Sequence, residues 1–338
     1  MRRWSLLLCG LCCVLGLWME KSPQPVGIAS PAPEPTPRRE TITVQQVILH
    51  TAPHPTPAPE PPVTLDVLHD GTHMEVALED YLVYVVAGEM PASFEPEALC
   101  AQAVAARSYI AWKLPRCGGA GCLRGADICT DSTHCMAYMG EEEMRAQWGE
   151  RYEEYRAKIA SAVQATAGQV MLYEGRPVQA LFHASSGGRT EDAQAVWGTA
   201  LPYLTSVASA EEDTQRTVTL SRAQLAEKLN AAFDGAGLTK DNVVQQFVVR
   251  SRTPGGRADI VRVGRVTAAG RAVRSALGLS STAFEVRSEG ENVTITTQGY
   301  GHGVGMSQEG ANAMAQQGKT WQDILLHYYT GVSIGKMP

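Results

Sequence analysis

Positive charge is scarce in this chain: 29 Lys and Arg stand against 35 Asp and Glu, a formal net charge of -6. Nucleic-acid binders usually carry a basic surplus or stripe, so no nucleic-acid partner is expected, whereas a neutral sugar polymer remains open as a ligand. Several catalytic signatures are missing too. No His-Glu-x-x-His is present, which removes the usual mark of a zinc hydrolase. His183 lies near serines, but no Gly-x-Ser-x-Gly elbow accompanies it. The glycine run at 299–305 fails Gly-x-Gly-x-x-Gly, because Val304 or Met306 falls where the third glycine belongs. No internal repeat is visible. Strands and helices come in mixed blocks without steady β-α-β alternation, so the expected class is α+β, with mixed helices and mainly antiparallel strands.

What is present argues for a folded, exported protein. Hydrophobic residues make up 44% of 338 positions and charged residues 19%, enough for a large core and for about two domains on length alone. At the N-terminus, Arg2 and Arg3 precede an uncharged apolar run, Trp4 to Met19. As a helix it is roughly 24 Å long, against a hydrocarbon core of about 30 Å. It ends Leu17-Trp18-Met19-Glu20, which is not a small-x-small cleavage site. Residues 1–21 are therefore expected to be a membrane anchor, favoured over a removed signal, with Arg2 and Arg3 cytoplasmic. Residues 22–62 are crowded with proline and read as an extended linker, with a candidate strand at Thr41–Leu49.

The globular body spans 63–335, with 205–290 a candidate subdomain. Short strands are expected at Val63–His69 and His73–Val76 around Asp70-Gly71. A helix should cover Leu78–Val86 and end at Gly88. Pro96–Leu114 predicts a second helix with proline in its first turn and alanines that imply close approach to a neighbour. Met144, Trp148, Tyr152, Tyr155, Ile159 and Val163 form one apolar stripe, predicting a single long helix over 141–166 stopped by Gly168. Residues 169–182 and 243–293 have strand patterns, the latter broken by Thr253-Pro254-Gly255-Gly256. Ser221–Phe233 and Gly270–Leu277 read as short helices.

Four segments can carry chemistry. In Gly88-Glu89-Met90-Pro91, a carboxylate beside apolar residues would have its neutral form favoured and serve as a general acid. A solvated glutamate at a helix entry is the plainer alternative. Phe182-His183-Ala184-Ser185-Ser186-Gly187-Gly188 places hydroxyls and backbone N–H groups after a strand, suited to sugar hydroxyls. Trp197 and Tyr203 offer stacking faces. In Gly299-Tyr300-Gly301-His302-Gly303-Val304-Gly305, alternate glycines would clear one face of a strand for a ligand or another backbone. Ser307 then looks like an N-cap, followed by Gln308. Finally, Cys117, Cys122, Cys129 and Cys135 with His134 crowd into 19 residues. Tetrahedral zinc, disulfides and free thiols all remain open there.

Together these blocks resemble the stage II sporulation protein D family, whose domain amidase-enhancer proteins share. The resemblance rests on Gly88 to Phe94, on Glu97 to Tyr109, on the Ser-Ser-Gly-Gly block and on Gly301 to Ala311, and covers about 63–335 in order. It implies a lytic transglycosylase that cuts peptidoglycan glycan strands already stripped of stem peptides by a partner amidase, during engulfment of the forespore. It assigns catalysis to Glu89 and implies substrate contacts from Arg107, His183, Ser185, Ser186, Gly188, Tyr203, His302, Ser307 and Gln308. Some relatives carry zinc with a histidine upstream of two cysteines. No histidine lies between Lys113 and Cys129 here, so Cys122 replaces it (or, second, Cys117), giving Cys122, Cys129, His134 and Cys135. Glu309 stands where an aromatic residue is frequent.

Overall fold

A computed structural model describes residues 63–212 and 214–338. The expected anchor, proline-rich linker and Thr41–Leu49 strand lie outside the described residues. Among the described residues, no helix is long and apolar enough to cross a membrane.

Strands β1 (Thr64–His69) and β2 (Thr72–Ala77) pair antiparallel with His69 opposite Thr72. Asp70 and Gly71 between them have φ of +48° and +82°, the two positive angles a two-residue primed turn requires. Helix α1 (Leu78–Glu89) follows without a break, then α2 (Pro96–Lys113) with proline in its first turn. Ala98, Ala101, Ala103, Ala105 and Ala106 are fully buried, as expected for a helix enclosed on nearly every side. Strand β3 (Ile128–Cys129) joins β1 in parallel.

The predicted long helix is in fact two, α3 (Glu141–Trp148) and α4 (Tyr152–Ala165). Gly149 separates them at φ +54°, ψ −124°, outside any helical region. The apolar stripe survives the break, with Met144, Tyr152, Ile159 and Val163 all buried. Next come β4 (Gln169–Tyr173), β5 (Arg176–Pro177), β6 (Phe182–His183) and the short α5 (Ala193–Trp197).

A second set follows: β7 (Gln215–Ser221), α6 (Arg222–Ala232), α7 (Val243–Gln246), β8 (Phe247–Arg252), β9 (Ala258–Val263), β10 (Val266–Ala269), α8 (Gly270–Leu277), β11 (Phe284–Glu289) and β12 (Asn292–Gln298). Val243–Gln246 is thus a helical turn rather than the start of a strand. Ser221 caps α6 by accepting from the Gln224 N–H. The strands form two antiparallel sheets, ordered β10-β9-β8 and β11-β12-β7. The chain closes with β13 (Met306–Ser307), α9 (Gln308–Gln316), α10 (Trp321–Tyr328) and β14 (Ser333–Lys336), the last pairing with β4.

Two cores result. The first surrounds α2 with α1, α4, β4, α9 and α10. The second is built from α6, α8 and the two sheets, with Phe247 and Phe284 stacked 6.4 Å apart. Each such fully buried side chain contributes about 1.5–3 kcal/mol. At their junction, β6 and β13 pair in parallel, and Ser185 bridges Tyr300. That pairing lays the Ser-Ser-Gly-Gly block against the glycine run. The class is α+β, mostly antiparallel, as the residue patterns predict.

Candidate functional site

Glu89 is the last residue of α1, not a loop residue or the entry to α2. The helix C-terminus carries partial negative charge, so the backbone there disfavours a carboxylate. Gly88 governs what else reaches it. A Cβ at position 88 would meet Tyr138 N at 3.0 Å and Ala137 C at 3.1 Å, so glycine lets segment 137–139 run against the last turn. The Ala137 N–H consequently donates to Glu89 Oε1 at 2.6 Å. Glu89 is half-buried. Burial raises its pKa above the ordinary 4.5, opposed by hydrogen bonds from Ala137 and from the Gln308 side chain, and burial wins. Gln308, itself buried, also donates to Gln102 Oε1 at 3.3 Å. A carboxyl of this kind can hold a proton and give it up to a base or leaving group.

Ser307 is the N-cap of α9, accepting from the Gly310 N–H as predicted. Its hydroxyl donates to Glu211 Oε1 at 2.9 Å. The Ser186 N–H and hydroxyl donate to the same oxygen at 2.6 and 2.5 Å, and the Gly188 N–H donates to Ser186 Oγ at 3.2 Å. The hydroxyls of Ser186 and Ser307, expected to hold sugar hydroxyls, therefore grip a carboxylate of this chain. Burial acts to raise the pKa of Glu211, but these hydrogen bonds outweigh it and the net shift is downward. Gly310 makes the space: a Cβ there would sit 2.7 Å from Glu211 Oε2. Glu211 was not singled out from the sequence. Only its position before a strand would have marked it. Ser185 is buried, with its hydroxyl unpartnered.

The glycine run is not a strand. Gly299, Gly301, Gly303 and Gly305 all have φ between +69° and +109°. Their missing side chains do permit close approach, though of the chain itself: a Cβ at Gly305 would fall 1.9 Å from Leu181 O. His302 packs 5.5 Å from His183 and 5.4 Å from Trp197 between ring centres. Its Nδ1 accepts from the Val304 N–H, and burial drives its pKa down to about 4. His183 Nδ1 donates to the Val304 carbonyl at 3.2 Å, leaving Nε2 buried without a partner. Burial, with His302 beside it, holds His183 well below 6.5. Both imidazoles are neutral at pH 7.

Two expected substrate contacts lie elsewhere. Arg107 is fully buried, with Nη2 2.6 Å from Glu79 Oε2. Its remaining donors reach Glu79 Oε1, Thr166 Oγ1 and the carbonyls of Val163 and Gln169. All five N–H groups are thereby engaged in joining α1, α2, α4 and β4. Tyr203 is buried against Tyr173, and its hydroxyl accepts from the Gln179 N–H. It lines a cavity of about 1160 Å³ together with Tyr109, Trp112 and Cys117.

Cys122, Cys129, His134 and Cys135 come together, all four donor atoms lying within 4.8 Å of one another. His134 Nδ1 is 3.4, 3.4 and 3.3 Å from the three sulfurs in turn. A tetrahedral ion with sulfur at about 2.3 Å and nitrogen at about 2.0 Å has N-to-S edges of about 3.5 Å, so the donors fit. Cys122 and Cys135 sulfurs stand 3.5 Å apart and the cysteines are free, which removes the disulfide alternative among the described residues. Burial pushes the Cys129 thiol up to about 12. Cys117 is not part of the group. The group could hold a metal ion.

The family model for the stage II sporulation protein, SpoIID, matches residues 70–173. The chain is 39% identical over 283 residues to stage II sporulation protein D of Bacillus amyloliquefaciens, spanning 82% of this chain and 80% of that protein. It is 38% identical over 265 residues to the protein of that name from Bacillus subtilis (strain 168), spanning 77% and 75%. Similarity extends at 28% over 305 residues to the amidase enhancer of Bacillus subtilis (strain 168), spanning 74% of this chain and 39% of that protein. With matches of this length and identity, and the resembling blocks assembled at one junction, the chain belongs to the stage II sporulation protein D family.

Proposed function

We propose that this protein is a peptidoglycan lytic transglycosylase that acts on glycan strands stripped of stem peptides, in the engulfment stage of sporulation. The observation that carries the reading is Glu89, a half-buried carboxyl whose protonated form is favoured by burial at a helix C-terminus. Most glycosidases need two reacting carboxylates flanking the bond. Glu211 does not serve as the second, because its oxygen is held by Ser186 and Ser307. One acid suffices for a lytic route. Glu89 gives its proton to the glycosidic oxygen as the C1–O bond breaks. The resulting carboxylate takes a proton from the muramyl C6 hydroxyl, whose oxygen bonds to C1. A 1,6-anhydro end forms, no water is consumed, and Glu89 is again protonated.

Cys122, Cys129, His134 and Cys135 would hold zinc. Three thiolates and an imidazole fill a tetrahedron, so the ion would supply folding energy and no open coordination position. Residues 1–21 would tether the chain, with the catalytic body outside the cytoplasm and the proline-rich segment as a spacer. The partner amidase would supply the stripped strands.

A second reading, a non-enzymatic activator of a peptidoglycan amidase, is favoured by the similarity to the amidase enhancer. Product analysis separates the two. Stripped strands incubated with the protein should yield 1,6-anhydro-muramyl ends by mass spectrometry, and Glu89→Gln should yield none. No such ends from the wild-type chain, with a partner amidase stimulated under the same conditions, would establish the activator instead.

A further inference from the structure

Between the two cores lies a pocket of about 310 Å³ lined by Trp197 of α5, Arg257, Arg271 and Arg274 of α8, and His302. That volume is at the lower end of small-ligand sites, about 300–1,000 Å³. Two carboxylates share the wall with these three guanidinium groups, Glu191 and Asp259. Both are engaged by neutral donors. Glu191 accepts from the Asp192 N–H at 2.9 Å and from the Thr253 hydroxyl, and Asp259 accepts from the Ser251 hydroxyl at 2.9 Å. The described ion pairs include none of the three arginines.

Arg257 is the most enclosed of the three arginines. It is 2% exposed, and Nη2 donates to the Ser186 carbonyl at 2.8 Å. Its Nε and Nη1 have no acceptor. The carboxylates of Glu191 and Glu211 offset its charge through space, so it lends the pocket positive potential. The guanidinium groups open to a ligand are those of Arg271 and Arg274, which are less buried and donate only to the Val196 and Leu279 carbonyls at 3.4 and 3.2 Å. Trp197 is 44% exposed, and its indole is available at the same pocket. An exposed aromatic face beside guanidinium groups suits a ring-shaped ligand that bears an acid, the ring against the indole and the carboxylate on the arginines. His302, being neutral, adds no competing charge.

We propose that this pocket binds a muramyl unit of the glycan through its free lactyl carboxylate. The inference rests on the peptidoglycan reading above and deepens it. A lactyl group still joined to a stem peptide is a neutral amide and carries a bulky chain, so it offers the arginines no charge. A stripped muramyl unit offers one. Preference for stripped strands then follows from charge pairing rather than from steric access alone. The pocket also connects to Glu89. Arg257 holds the Ser186 carbonyl, Ser186 and Ser307 hold Glu211, and Gln308, next after Ser307, reaches Glu89.

The test is calorimetric titration of the full chain with N-acetylmuramic acid, its neutral lactyl methylamide, and N-acetylglucosamine. The acid is expected to bind at least about tenfold more tightly than the other two, the scale of one charge-assisted hydrogen bond. Trp197→Ala, which removes the face the ring packs on, should weaken both the acid and the methylamide, and Arg274→Gln should weaken the acid by about tenfold and leave the methylamide unchanged. Arg257→Gln should do the same, and circular dichroism shows whether it folds; the other two variants decide if it does not. Equal affinity for acid and methylamide, no binding of the acid, or indifference to Arg274→Gln and Trp197→Ala would each overturn the proposal. These probes are not cleaved. A chain that binds the acid but yields no anhydro ends keeps this site and loses the lytic reading. One that cuts stripped strands yet binds acid and methylamide alike loses only this site.

Discussion

The Ala137 N–H sits 2.6 Å from Glu89 Oε1, and it is there because Gly88 lets segment 137–139 lie against the last turn of α1. That bond and the one from Gln308 both favour the carboxylate, while burial favours the acid. The proton affinity of Glu89 is thus a balance that single substitutions should tip.

Gln308→Leu removes one of the two hydrogen bonds that lower the pKa of Glu89. Its pKa should rise further, and the alkaline limb of kcat/KM on stripped strands should move to higher pH. An unchanged or lowered alkaline limb would show that Gln308 does not act on Glu89.

Glu211→Ala leaves the Ser186 N–H and both serine hydroxyls without their acceptor. A loss of about 1–3 kcal/mol in urea unfolding at pH 7 is expected. Because the folded pKa of Glu211 lies below the ordinary 4.5, its contribution is present above that pH and fades as pH falls through the folded value. The gap between variant and wild type should therefore shrink below pH 4.5. A gap independent of pH would rule out an ionised Glu211 as its source.

Glu79→Ala strands the Arg107 guanidinium, which is fully buried. Breaking a buried pair from one side costs about 3–5 kcal/mol. Denaturant unfolding should show a loss of that size. A loss within 1 kcal/mol would mean that Arg107 finds other compensation and is freer than its five bonds imply.

If Cys122, Cys129, His134 and Cys135 hold zinc as proposed, chelation should remove about one ion per chain, since their four donor atoms lie within 4.8 Å of one another and suffice for one tetrahedral site. It should lower Tm and raise hydrogen exchange across residues 117–135, and Cys129→Ser should act in the same direction. Abolished cutting with Tm and exchange unchanged would assign the ion to catalysis instead.

How much of this was legible in the residues varies by physical cause. The Asp70-Gly71 turn, the enclosed alanine helix and the Ser307 cap were readable, because each depends on local backbone preference. The spacing of the cysteines, by contrast, left zinc, disulfides and free thiols open. The grouping of Cys122, Cys129, His134 and Cys135, which could hold a metal ion, was suggested only by the family resemblance. The break at Gly149 was hidden, since the apolar stripe runs through it without losing register. Regular spacing in 299–305 mimicked a strand, whereas four positive φ angles make it a turn sequence that only glycine tolerates. Arg107 looked available because its block is shared with relatives, but pairing with Glu79 across two helices cannot be seen in one chain segment. Glu211 and Arg257 lay in a stretch without motifs, and only the folded junction gives them partners.

The most direct measurement is the titration of Glu89 itself, followed by carboxyl 13C resonance in a glutamate-labelled chain and assigned by its disappearance in Glu89→Gln. A proton donor held by burial is expected to titrate above 4.5 and above the exposed glutamates. A midpoint at or below 4.5 would leave position 89 without a proton to give at neutral pH, and the lytic reading would fall with it.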